Sequence, residues 1–260
     1  MNGKDDMLKL LVIGIGAGNP EHMTVQAIGA LNRADVVFLP RKGESKADLA
    51  ELRREICRRF LTSEKTRIVE FDLPGRDAAG AYLASVDEWH AAIADAYARL
   101  IADELGGRGS AAFLVWGDPS LYDSTLRILA RLRSAHGIGF GIEVVPGITS
   151  VQALTASHAM PLNRLAGPVL FTTGRRLEED LAGKPDTIVV MLDGQLAFEA
   201  LPADEYDIFW GAYLGMEQEM IVAGGLASAS GEIAAKRAAG RAENGWIMDV
   251  YILRRKAAAA

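Results

Sequence analysis

Apolar residues along the 260-residue chain fall into two alternating patterns. Short, nearly continuous apolar runs occupy Leu8 to Ile15, Val36 to Leu39, Ala111 to Trp116 and Ile142 to Val145, with a weaker run from Arg67 to Phe71. Such runs predict strands covered on both faces, as in parallel sheets built with crossover helices. Between them, apolar positions recur at steps of three and four. Tyr82, Val86, Trp89, Ile93, Tyr97 and Leu100 form one stripe within Gly80 to Glu104, and Leu49, Leu52, Ile56 and Phe60 form another. Each stripe predicts an amphipathic helix. Arg53, Arg54, Arg58 and Arg59 read as the solvated face of the second of these.

After a helix that begins near Thr149, the segment HAMPLNRLAGP breaks both periodicities with two prolines and a glycine. A domain boundary is expected there, giving domains 1–160 and 161–260. The second half returns to strands near Val169 to Thr172, Thr187 to Leu192, Ile208 to Leu214, Met220 to Ala223 and Trp246 to Leu253. Some of their connections are too short for a crossover helix, so antiparallel pairs are expected among them. The fold class is therefore α/β in two domains, with a mainly parallel sheet in the first and a mixed sheet in the second.

Composition narrows the function. Half of the residues are apolar and the net charge is −6. An acidic chain is a poor nucleic-acid partner, although a local basic groove stays open. The single cysteine, Cys57, cannot form an internal disulfide and reads as a packing residue. The start MNGKDDMLK lacks the apolar core of a signal peptide, and no apolar run reaches the ~20 residues of a membrane span. These features predict a soluble cytoplasmic protein without a membrane partner. His22, His90, His136 and His158 are scattered without HxxxH spacing, so no metal is expected, and His90 reads as solvent-facing.

Candidate chemistry gathers where three predicted strands end. The first loop, VIGIGAGNP, resembles a dinucleotide fingerprint, but Asn19 stands where the third glycine belongs and Pro20 removes a backbone donor. The second, WGDPSLYDST, combines Gly117, Asp118 and Pro119; the third, VVPGITSVQA, sets Thr149 and Ser150 at a helix start. Each alone is compatible with ordinary turn chemistry. Three at the carboxyl edge of one sheet point to a ligand. No GxSxG nucleophile elbow is present.

The order GxGxG, an Ala-Asp-Val-Val strand, GDPSLY and VVPGITS resembles the corrin and porphyrin methyltransferases across essentially the whole chain. Within that family, TTGRRL (172–177), VVMLDG (189–194) and GWIMDVYILRR (245–255) are similar to the deacetylating branch of aerobic cobalamin synthesis. The family's first loop is usually GxGPG, and Ala17 replaces that proline here. The resemblance implies S-adenosylmethionine as cofactor, S-adenosylhomocysteine as product, precorrin-5 as substrate, a cleft between two α/β domains, and a homodimer. It implies cofactor contacts at Ala17, Trp116, Gly117, Asp118, Leu121, Thr149, Ser150, Leu192, Gly215 and Met216. Met191 reads equally as cofactor contact or as core. Gly16 is implied to line the substrate groove.

Methyl transfer from a sulfonium needs positioning more than acid or base, whereas release of acetate needs an activated water. Asp118, Asp123 and Glu217 are the candidate bases, unranked. A substrate bearing several carboxylates calls for cations at strand ends, and Arg41, Lys42, Arg164, Arg175 and Arg176 fit that description or a solubilising surface equally. Rival readings are another methyltransferase of this fold, a binding module of this fold, or an NADP-dependent oxidoreductase using Arg41 and Lys42 as a phosphate clamp.

Overall fold

The structure, a computed structural model, describes residues 7–41, 47–75, 82–183 and 185–256. Lys42 and the alanine tail lie outside them. The chain forms two compact units, one of Met1–Gly16 with Pro20–Thr149, the other of Ala17–Asn19 with Ser150–Ala260. The division falls at Thr149 and Ser150, before the proline-rich segment where a break was expected. The helix Ser150–Ser157 therefore belongs to the second unit.

In the first unit, strands β1 (Lys9–Gly14), β2 (Val36–Arg41), β3 (Arg67–Asp72), β4 (Ser110–Val115) and β5 (Gly141–Val145) form one sheet in the order β3-β2-β4-β1-β5. All neighbours are parallel. The expected both-sided burial has a simple origin, because successive side chains of each strand enter different cores. Leu10, Val12, Phe38 and Phe113 pack against Ile93, Tyr97 and Leu129 of helices α3 (Tyr82–Leu105) and α4 (Thr125–His136). Leu11, Ile13, Val37 and Leu114 pack against Ala27, Leu31, Ile56 and Cys57 of α1 (Val25–Arg33) and α2 (Ala47–Phe60).

The second unit has the order β6-β7-β10-β8-β9, from β6 (Val169–Thr173), β7 (Thr187–Met191), β8 (Tyr206–Ala212), β9 (Met220–Gly225) and β10 (Asp249–Arg255). Only β6 and β7 are parallel. The chain's last strand, β10, inserts between β7 and β8 and runs antiparallel to both. Among the described residues this unit carries α5 (Ser150–Ser157), the single-turn α6 (Leu177–Asp180) after β6, and α7 (Leu226–Asn244). Gly245, with φ +72°, supplies the left-handed C-cap of α7, the turn expected from Asn244-Gly245.

Two surface readings are corrected. Arg53 is buried, at 9% exposure; it lies four residues after Leu49 and three before Ile56, on the apolar stripe itself. Arg54, Arg58 and Arg59 are solvated and pair with Glu51, Glu55 and Glu70. His90 is half-buried, and its Nε2 is a buried atom without a hydrogen-bond partner among the described residues. Burial first, then Arg127 and Arg131, lower its pKa.

Candidate functional site

The three loops following β1, β4 and β5 are knit together by backbone and one carboxylate. Gly117 N donates to Gly16 O at 2.8 Å, closing an isolated antiparallel bridge between the first and second loops. Gly147 N, in the third loop, donates to Asp118 Oδ2 at 2.8 Å. Asp118 Oδ1 accepts from both the backbone N and the hydroxyl of Ser120. Burial raises the Asp118 pKa, but the donors Ser120 Oγ, Gly147 N and Ser120 N outweigh it and hold the carboxyl below its ordinary value. A carboxylate so engaged fastens loops and is a weak proton acceptor.

The glycines exist for this close approach. A Cβ at Gly147 would lie 2.1 Å from Gly117 O, and one at Gly14 would lie 2.6 Å from Gly147 N. At Gly16 (φ +86°) a Cβ would meet the His22 side chain at 2.2 Å. Gly117, by contrast, has φ +68° and would place a Cβ no nearer than 3.8 Å to Thr149 Cα, so the backbone beside it is open. The first loop thus spends its glycines on loop packing. The same strand-end cluster brings Gly16, Trp116, Gly117, Asp118, Leu121 and Thr149 to the carboxyl edge of the first sheet.

In the second unit, Gly18 (φ +147°) lies against Leu214 O, which a Cβ would approach to 2.3 Å. Gly215 N donates to Glu219 Oε2 at 2.6 Å and Met216 N to Tyr213 O at 2.9 Å, shaping a tight turn before β9 that includes Glu217, which is exposed. Leu192 follows β7 with φ +54° and is 62% exposed, an uncommon state for a branched apolar residue. The adjacent Asp193 is buried and accepts from Gln195 N, Ala197 N and Tyr251 Oη, while its carbonyl takes a bond from Arg237 at 2.7 Å. Arg237 also pairs with Asp249 at 3.0 Å, and Trp210 Nε1 donates to the same carboxylate. This buried network holds the turn that presents Leu192. Sequence reasoning missed Asp193; the D-G step after a buried strand was its only signal.

The candidate cations separate on inspection. Arg41 is held bidentately by Asp72, at 3.0 and 2.9 Å. Arg164 pairs with Asp186 at 2.8 Å and donates to Arg255 O. Arg176 pairs with Glu179 and Asp180 of its own turn. Arg175 lines a cavity of about 560 Å³ with Gly174, Leu192, Asp193, Leu196 and Glu199, so the TTGRRL and VVMLDG segments meet around one space. Among the described residues, no group of three or more His, Cys, Asp or Glu is arranged to hold a metal, and no helix is long and apolar enough to cross a membrane.

In the first unit, the glycine loop after β1 is engaged in backbone contacts with the loops after β4 and β5, and Asp118 ties the latter two. The model of the tetrapyrrole (corrin/porphyrin) methylases matches residues 9–230, and the chain belongs to that family. A precorrin-6A synthase [deacetylating] from Sinorhizobium sp is 54% identical over 252 residues, covering 96% of this chain and 97% of that protein. The structure of a cobalamin synthesis related protein (CobF) from Corynebacterium diphtheriae is 38% identical, with TM-score 0.82 over 95% of this chain and 98% of that one. A uroporphyrin-III-C-methyltransferase from Thermus thermophilus, 21% identical with TM-score 0.56 over 95% and 92% of the two chains, shares the fold.

Proposed function

We propose that the chain is an S-adenosylmethionine-dependent C-methyltransferase that converts precorrin-5 to precorrin-6A with loss of acetate. The observation that carries this reading is the near full-length identity of 54% to a deacetylating precorrin-6A synthase. The loop cluster fits the cofactor. The backbone is open at Gly117, and the adjacent Asp118 is fixed by the bond from Gly147 N. When bound, S-adenosylmethionine supplies an electrophilic methyl group. The residues proposed to hold it are Ala17, Trp116, Gly117, Asp118, Leu121, Thr149, Ser150, Met191, Leu192, Gly215 and Met216.

The chain's own contribution to methyl transfer is positional. Rigid loops orient the reacting carbon and exclude water, which supports a large rate gain without an acid or base. For the substrate, Arg175 is the proposed carboxylate partner, because it lines the cavity around which the TTGRRL and VVMLDG segments meet; Gly16, Arg41, Lys42, Arg164 and Arg176 are proposed in support. The enzyme is further proposed to be a cytoplasmic homodimer without metal. Thermal unfolding with S-adenosylhomocysteine and with NADP tests the cofactor assignment. A rise with the first alone is expected; a rise with NADP alone would overturn it.

A further inference from the structure

One cavity in the first unit lies alongside the loop cluster just described, at the two ends of its second loop. It measures about 120 Å³ and lies at the carboxyl ends of β2, β3 and β4, walled by Phe38, Phe71, Trp89, Tyr97 and Phe113. Its polar lining is Arg53, from α2, with Asp123 and its neighbours Ser124 and Thr125 at the start of α4. A space of this size holds several water-sized groups, enough for a two-carbon acyl group and a water.

The cation is built in. Arg53 is buried and its Nε donates to Leu114 O at 3.1 Å, which fixes the guanidinium at the end of β4. Burial lowers its pKa, and Tyr97 and Asp123 oppose that by supporting its charge. A buried arginine is kept only where charge is matched, so a charge developing nearby meets a strong, preorganised donor. Asp123 is half-buried, with Oδ1 accepting from Thr125 N at 2.7 Å. The chain from Val115 to Asp123 includes the whole proposed cofactor loop, so the cavity is bordered by both ends of that loop.

We propose that this cavity is the deacetylation site, receiving the acyl group of the bound tetrapyrrole, with Asp123 as the base for water and Arg53 as the donor to the oxyanion. The proposal rests on the deacetylating reading above and deepens it. Methyl transfer leaves one positive charge on the ring. Water adds to the acyl carbonyl carbon as Asp123 takes its proton, and the resulting oxyanion faces Arg53. The carbon–carbon bond then breaks, its electron pair returns to the ring and cancels that charge, and acetic acid leaves. Asp123 and the acid both lose their protons to solvent, closing the cycle. Arg53 and Asp123 sum to zero charge before reaction, which suits a neutral acyl group in an aromatic-walled space. Asp118 is spent on its three donors and Glu217 is exposed, so neither competes for this role.

The test is the ratio of acetate released to S-adenosylhomocysteine formed, with the mass of the tetrapyrrole product, in Asp123→Asn and Arg53→Lys. Asparagine keeps the acceptor for Thr125 N, so the turn into α4 is retained. Asp123→Asn is expected to lower the ratio about 100-fold or more, the scale of a lost general base, and to accumulate methylated, still acetylated tetrapyrrole. Arg53→Lys is expected to lower it less, since charge remains without the fork; circular dichroism checks its folding. Wild-type ratios in a folded Asp123→Asn enzyme would overturn the proposal while leaving the methyltransferase reading intact. Wild-type protein that forms no S-adenosylhomocysteine with precorrin-5 would instead overturn that reading itself.

Discussion

Gly147→Ala places one methyl group where three loops meet. Its Cβ would sit 2.1 Å from Gly117 O and 2.8 Å from both Cα and C of Gly14. A comfortable carbon–oxygen contact is roughly 3.3 Å, so the loops must separate by about 1 Å. All the obstructing atoms are backbone, and no side chain can rotate away. Overpacking of this kind costs about 1–3 kcal/mol. The same shift strains the 2.8 Å bond from Gly147 N to Asp118, a charged bond worth about 1.5–3 kcal/mol. With that bond lost, the expected loss of unfolding free energy is about 2.5–6 kcal/mol. A 1 Å displacement of positioning groups also lowers turnover by roughly 100-fold. Urea unfolding and calorimetric titration with S-adenosylhomocysteine measure both effects. An alanine variant within about 1 kcal/mol of wild type, with unchanged affinity, would refute the claim that glycine is required for loop packing.

Other variants address separate parts of the account. Asp118→Ala removes the acceptor shared by two loops; because the folded pKa is depressed, the stability Asp118 adds is present above the ordinary carboxylate range and lost as pH falls through the folded pKa. The wild-type advantage over Asp118→Ala in urea should therefore shrink on acidification, and a gap constant with pH would contradict the assignment. Tyr251→Phe deletes the 2.7 Å bond to Asp193 and should destabilise by about 1–3 kcal/mol while weakening cofactor binding through Leu192; unchanged stability would remove Asp193 from its structural role. The Cys57 thiol, pushed up to about 11 by burial, should react with a disulfide reagent at pH 8 only after unfolding, and rapid labelling of native protein would contradict its placement.

The sheets were legible in the sequence because burial on both faces writes continuous apolar runs. Leu10 to Ile13 feed two cores alternately, and all five runs of the first half became strands. Strand order was not legible, since nothing local tells β10 to insert between β7 and β8. The loops GDPSLY and PGITS announced themselves by composition, but the reason for Gly147, a close backbone approach to Gly117 and Gly14, is a long-range fact. Arg53 was misread because a charged residue on an apolar stripe looks like its exposed neighbours until the helix is docked. Leu192 and Asp193 were half legible: the motif drew attention to Leu192, whereas the carboxylate beneath it, held by Tyr251 from β10, has no local signature.

The most direct test of the central claim is the product formed from precorrin-5 and S-adenosylmethionine carrying a labelled methyl group, followed by mass spectrometry with parallel measurement of acetate. The account predicts one labelled methyl on a ring carbon, with one S-adenosylhomocysteine and one acetate for each tetrapyrrole converted. Labelled product that retains its acetyl group with wild-type enzyme, or no transfer of label to the tetrapyrrole, would contradict it.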